Sequence, residues 1–180
     1  KTVYPEAYRY SLATDHNDNK LVVLEAMSEG VVFTSREHLA TTDSLAVLRP
    51  RLSRIEKAKA LLKAFSYSGR PYDFDFDFRT DSQLVCTELV YKVYEPEQGY
   101  RGIRFPLRSV AGRPVITAND IAKQFDQHYE KSGQQFDLVL FLDGNERDGK
   151  AEKAGIERFR ASWKRPKWHI LTQNTPFASR

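Results

Sequence analysis

Gly69-Arg70-Pro71-Tyr72-Asp73-Phe74 and, after a polar gap, Leu84-Val85-Cys86-Thr87-Glu88-Leu89-Val90-Tyr91-Lys92-Val93-Tyr94 are the most informative stretches of this sequence. The second reads as a helix running to about Tyr94. Val85, Leu89 and Val93 recur every fourth residue and share one face, and Asp81 or Ser82 can cap its start. Cys86, the one cysteine of the chain, then lies in the first turns of that helix. A thiol there meets the positive end of the helix dipole and amides with no intrahelical acceptor, and both favour the nucleophilic thiolate. Those amides can also donate to an oxyanion formed at an attacked carbonyl. The plain alternative is a cysteine packed as a small apolar side chain.

Outward from this segment, composition narrows the field. The chain has 180 residues, 41% hydrophobic and 29% charged, which fits one globular domain with its own core. A single cysteine excludes an intramolecular disulfide and a multi-cysteine zinc site. Four scattered histidines do not suggest a metal cluster, and no apolar run is long enough to span a bilayer. No secretory signal is recognisable at the start, and a first residue of Lys1 fits a mature or trimmed product. Net charge is +4, with nine Lys/Arg against four Asp/Glu in residues 146–180, so residues 1–145 carry −1. Such a distribution argues against a nucleic-acid binder. It leaves two readings of the tail, a solvated basic helix or a weak contact with an anionic membrane surface through residues 146–180.

Lys20–Met27 is a compact apolar run and reads as a buried strand. Residues 7–14 are its expected hairpin partner across the polar turn Asp15–Asn19. Gly30–Thr34 reads as a short strand, with Ser35 capping a short helix. Ser44–Leu48 reads as a strand stopped by Arg49-Pro50. Ser53 and Glu56 form a capping box for a helix reaching Ser68 and ending at Gly69. Thr117–Tyr129 reads as a helix with Ile121, Phe125 and Tyr129 on one face, and Phe136–Leu142 as a late strand. Asp73, Asp75 and Asp77 alternate with Phe74, Phe76 and Phe78, the period of an edge strand; a calcium site on the acidic face is the alternative. After Asp143-Gly144-Asn145 a charged helix is expected over 146–162, then a tail returning through Trp163 and Trp168. The pattern is α+β, an antiparallel sheet packed against helices, with a domain over 1–145 and a basic C-terminal helix and tail over 146–180 packed on it.

The Gly-Arg-Pro-Tyr segment followed by Cys86-Thr87-Glu88-Leu89-Val90 resembles the cysteine motif of the papain-like cell-wall hydrolases. The Cys-Thr-Glu-Leu-Val form is similar to their circularly permuted YiiX/YebB-type branch, whose histidine strand precedes the cysteine helix. Leu24-Glu25-Ala26, Glu29-Gly30-Val31-Val32 and Asp43 to Arg49-Pro50 resemble the middle of that branch, so the likeness covers residues 20–95 best. It implies a papain-like, circularly permuted fold and a cysteine hydrolase. Cys86 matches the nucleophile, Tyr72 the tyrosine whose hydroxyl is expected near the oxyanion, and Glu25 the residue that orients the histidine. No metal or organic cofactor is implied. The substrates implied are amides or esters of cell-envelope peptides or lipid-linked acyl groups, in a bacterial cytoplasm or envelope.

The family histidine is missing from its place. The equivalent stretch, Tyr4-Pro5-Glu6-Ala7-Tyr8-Arg9-Tyr10, holds none, and the family position falls on Glu6 or nearer Tyr10. The Gly-Asp-Ile strand that normally precedes it is absent too, so either an upstream part is lacking or the pattern has decayed. His16 is the nearest histidine and the expected base, with a solvent-facing turn residue as its alternative; His38, His128 and His169 remain open. Glu88 is expected to anchor a loop or pair with an arginine. Three readings follow: a hydrolase working through an acyl-enzyme on Cys86, an inactive papain-like binding domain, and a lipid-acting enzyme at a membrane surface using Arg158, Arg160, Lys164, Arg165, Lys167, Trp163 and Trp168. A version with Glu6 as base is disfavoured, since a carboxylate raises the pKa of a neighbouring thiol.

Overall fold

Alternating β-branched and apolar residues build the first element pair. β1 (Leu21–Met27) and β2 (Gly30–Ser35) form an antiparallel hairpin in which Ala26 faces Val31 and Glu25 faces Val32. The computed structural model describes residues 9, 12–76, 78, 80–145 and 149–165. β1 pairs with β2 rather than with the expected 7–14 strand; among the described residues a Thr14–Lys20 bridge and the Leu21 amide bond to Ala13 reach toward that segment, of which residues 7, 8, 10 and 11 lie outside the described ones. Ser35 caps the one-turn helix α1 (Arg36–Leu39), accepting the His38 amide at 3.2 Å.

The capping box forms as its residue types require. Ser53 Oγ accepts the Glu56 amide at 3.2 Å, the Ser53 amide donates to Glu56 Oε2 at 2.8 Å, and α2 (Arg54–Ser66) follows. Helix α3 is Cys86–Tyr94 and helix α4 is Ala118–His128, the latter capped by Thr117. β4 (Arg108–Val110) and β5 (Arg113–Val115) make a small hairpin. A three-stranded antiparallel sheet carries the rest, with β6 (Phe136–Asn145) between β3 (Leu45–Pro50) and β7 (Lys150–Lys153). Helix α5 (Ile156–Ser162) closes the described chain. The architecture is α+β, with antiparallel sheets and helices around a shared core of Val31, Leu84, Leu89, Val93, Ile103, Phe125, Phe141 and Phe159. No described helix is long and apolar enough to cross a membrane.

Four further expectations are corrected. β3 continues through Arg49 to Pro50, which pairs with Phe136. Proline's missing donor is tolerated at that terminal position, and the Arg51 amide takes up the pairing with the Gln135 carbonyl at 2.8 Å. The cysteine helix begins at Cys86, not near Asp81, because Leu84 and Val85 stay extended and buried beside Tyr72. Asp73–Phe76 forms a turn rather than an edge strand. Asp73 is buried and accepts the Asp75 amide at 2.8 Å, Phe78 enters the core, and Phe74 and Phe76 face solvent; Asp77 lies outside the described residues. The stretch expected to be helical from residue 146 holds the strand β7 before α5, because the edge of β6 offers unpaired backbone that Lys150–Lys153 completes.

Four cations of the basic stretch, Arg158, Arg160, Lys164 and Arg165, meet two acids, Asp143 and Asp126. Asp143 is 1% exposed and receives both Arg165 terminal nitrogens, at 2.6 and 2.7 Å, together with Arg158. Asp126 holds Arg160 at 2.9 Å, the Trp163 indole at 3.1 Å and Lys164 at 3.7 Å. Trp163 and Phe159 thereby pack on the main core, while Lys167, Trp168 and His169 lie outside the described residues.

The Arg165 fork, aided by Arg158, holds the Asp143 carboxyl below the usual carboxylate range despite its burial. A depressed folded pKa means that this contribution is complete above about pH 4 and is lost as pH falls through the folded value. Asp143→Asn is expected to cost roughly 2–4 kcal/mol at neutral pH, because two arginines lose their shared partner. Urea unfolding of both proteins, repeated below about pH 4 where the difference should shrink, checks this.

Candidate active site around Cys86

The site is assembled by a close backbone seam. The Val31 amide donates to the Arg70 carbonyl at 2.8 Å, and the Gly69 amide returns a bond to the Val31 carbonyl at 2.8 Å. Gly30 has φ of +109°, and a side-chain carbon there would meet the Arg70 carbonyl at 2.6 Å, so glycine is required. From this seam the chain runs through Pro71 to Tyr72, which bridges in parallel to Leu84. Pro71 accepts the Leu84 amide at 3.1 Å, and the Asp73 amide donates to the Leu84 carbonyl at 3.3 Å. The two quoted stretches of sequence thus lie side by side, and Cys86 follows two residues after Leu84.

Cys86 is the first residue of α3 and its thiol is exposed. The first bond within the helix is from the Leu89 amide to the Val85 carbonyl, at 2.9 Å. The amides of Cys86, Thr87 and Glu88 therefore have no acceptor in the helix and can serve an anion there. Tyr72 stands close enough for a Cys86 thiolate to bear on its ionisation. Its pKa is raised first by burial, then by Cys86 and Asp73. Its ring meets Phe74 at 5.0 Å and Phe76 at 6.4 Å, both edge-on.

Glu88 lies beneath this turn and is fully buried. Its Oε2 accepts the Val85 amide at 3.3 Å, while Oε1 has no hydrogen-bond partner. Burial pushes its pKa up to about 7; the Val85 amide and Lys92 oppose the rise, and Asp73 and Asp81 add to it. No arginine pairs with it among the described residues; of the two expectations, its bond to the Val85 backbone fits the anchoring one. The nearest cation, Lys92, is bound to Asp81 at 2.6 Å, and Arg70 holds the Asp81 carbonyl. The sequence carried a signal for this burial, because Glu88 follows the apolar Val85 at the three-residue spacing of one helix face.

Glu25 and the histidines group differently. Glu25 accepts a hydrogen bond from the Thr34 hydroxyl and stands 3.7 Å from His38 Nε2. Strand alternation sets Glu25 on the hairpin face opposite Leu24 and Ala26, which pack into the core with Leu89 and Val93 of α3. His16 lies exposed in the turn before β1, its Nε2 3.0 Å from the Asn17 amide nitrogen. His128 ends α4 and is exposed. Among the described residues, then, the fold joins Cys86 with Tyr72 and Glu25 with His38, and no contact links the two pairs or brings His16 to either. Glu6, Tyr10 and His169 lie outside the described residues. The His38–Glu25 pairing was missed in the sequence because it depends on the β1–β2 register and on the turn at Ser35. Among the described residues, no group of three or more His, Cys, Asp or Glu is arranged to hold a metal ion.

A neutral Glu88 in the fold and an ionised one in the unfolded chain make stability fall as pH rises from about 4.5 to about 7. Glu88→Gln is expected to flatten this slope, and urea midpoints compared across that range measure it.

The model of the permuted papain-like amidase enzymes, YaeF/YiiX, C92 family, matches residues 9–145. A comparison with curated proteins finds no match. Among solved structures, the crystal structure of the metalloprotein yiiX from Escherichia coli O157:H7 is 21% identical, over 79% of this chain and 78% of that one, with a TM-score of 0.44. A match over residues 9–145, a range that includes the hairpin, the Gly-Arg-Pro-Tyr segment and the cysteine helix described above, places this chain in the permuted papain-like amidase family YaeF/YiiX.

Proposed function

We propose that this chain hydrolyses an amide or ester bond through an acyl-enzyme on Cys86. The carrying observation is an exposed thiol on the first residue of a helix whose first three amides have no helical acceptor. The thiolate attacks the carbonyl carbon, the C–S bond forms, and the carbonyl electrons move to oxygen, where the helix amides donate to it. Collapse expels the amine or alcohol, which takes up a proton. Water then attacks the thioester, releasing the acid and restoring the thiol. Tyr72 borders this position, and its hydroxyl is a second donor for the oxyanion. The substrate class proposed is a cell-envelope peptide or a lipid-linked acyl group.

The base is a histidine in this reading, with Glu25 as the carboxylate that orients it. The 3.7 Å approach of His38 to Glu25 supports His38, and the nearness of His16 to β1 in the chain supports His16. A second reading, a papain-like domain that binds without cutting, is favoured by one observation: among the described residues no histidine contacts Cys86.

p-Nitrophenyl acetate separates the readings. The hydrolase is expected to release a burst of nitrophenol, to carry one acetyl group on Cys86 by mass spectrometry, and to turn over. Cys86→Ser is expected to lower turnover by more than about 100-fold. The histidine whose alanine variant loses turnover, His38→Ala or His16→Ala, is the base. An unacetylated Cys86 with turnover equal to that of Cys86→Ser would favour the binding domain.

A further inference from the structure

We propose that Glu88 is a positioning residue of the nucleophile, tying the start of α3 from beneath and coupling the ionisation of Cys86 to its own proton. This rests on the reading of Cys86 as the reactive thiol. The geometry has three parts. Glu88 is fully buried two residues beyond Cys86, within the same helical turn. One carboxyl oxygen takes the Val85 amide, the donor immediately before Cys86. The other oxygen is buried with no partner, so ionisation leaves a charge that is only half satisfied.

Among the described residues, one cation, Lys92, offsets that charge in part, and two carboxylates add to it. The charged groups facing Glu88 are Lys92 of its own helix and Asp73 and Asp81 of the preceding segment. Lys92 is already bound to Asp81 at 2.6 Å. β1 and α2 turn Leu24, Ala26, Ala60 and Ala64 toward the shared core. Burial accordingly holds the proton on Glu88 to about neutral pH.

The consequence for the thiol follows from like-charge repulsion between a buried carboxylate and a thiolate on the same helical turn. With Glu88 neutral, the first-turn amides and the helix dipole act on a thiolate unopposed. Once Glu88 ionises, its negative charge opposes both the thiolate and the oxyanion formed at the same amides. The two groups therefore lose their protons as a coupled pair, each making the other's loss harder. A site built this way gives its strongest support to the thiolate on the acid side of neutrality.

The test is the pH profile of Cys86 alkylation by iodoacetamide, in which the C–S bond forms and iodide leaves. The native chain is expected to show a broad profile with two steps. Glu88→Gln keeps an oxygen for the Val85 amide but cannot ionise. It is expected to show one step with its midpoint lower by about one pH unit, and alkylation roughly 3–10-fold faster on the rising limb. Identical one-step profiles with one midpoint would overturn the proposal.

A second measurement uses the native chain alone, should Glu88→Gln fail to fold. Coupling between two sites is reciprocal. Capping Cys86 with the neutral carboxamidomethyl group should therefore move the titration of the buried carboxyl infrared band to lower pH. An unmoved band would overturn the coupling. Neither readout depends on hydrolysis: coupling without acetyl turnover would leave this inference standing and remove the hydrolase, and turnover without coupling would do the reverse.

Discussion

The site depends on the approach of the β1–β2 hairpin to the Arg70 carbonyl. Two backbone bonds, Val31 to Arg70 and Gly69 to Val31, close that seam, and the space exists only because residue 30 has no side chain. Everything that gives Cys86 its surroundings is referred to this contact. It fixes where Pro71 and Tyr72 run, Tyr72 fixes Leu84 by the parallel bridge, and Leu84 sets where α3 begins. Val31 and Leu84 are both fully buried, so the seam is sealed by the same core that holds the helix. A water-filled gap there would leave buried amides unpaired and release the segment bearing Tyr72.

The cysteine helix shows how burial and polarity are balanced at a reactive end. Val85 has no side-chain acceptor, so the helix lacks an ordinary polar cap. Glu88 takes over half of that duty from inside, at the cost of a buried carboxyl. The exchange leaves the outer side of the first turn clear. Among the described residues, no side-chain oxygen is bonded to the amides of Cys86, Thr87 and Glu88, and the cysteine itself is exposed.

At the other end of the molecule the charges serve cohesion. The arginines that gave the tail its basic character converge on Asp143 and Asp126, which sit on β6 and α4 and are shielded from solvent. α5 is thereby fastened across two layers, with Phe159 inserted edge-on against Phe125 at 5.1 Å and Phe141 at 5.3 Å. Fork-shaped guanidinium pairing explains why arginine supplies most of these contacts. Of the cations expected to meet an anionic surface, Arg158, Arg160, Lys164 and Arg165 are engaged within the fold.

The sequence by itself determined the local elements that follow from short-range chemistry. These are the capping box at Ser53, the strands over Lys20–Met27 and Gly30–Thr34, the helix from Thr117, the face shared by Val85, Leu89 and Val93, and the Gly-Arg-Pro-Tyr segment with a cysteine helix that marks the family; that the two strands pair with each other was not among them. Each depends on residues a few places apart, or on a motif read directly. Where the helix starts, what Glu88 does, and which histidine meets Glu25 were decided only by the tertiary structure. Leu84 is extended because Tyr72 pairs with it, Glu88 is buried because the core closes over that face, and His38 meets Glu25 because the register of two strands carries it there. The same holds for β7, which exists because β6 presents an edge, and for the basic tail, whose destination is two acids distant in sequence. Long-range pairing and burial set these outcomes, and neither is encoded in the spacing of neighbouring residues.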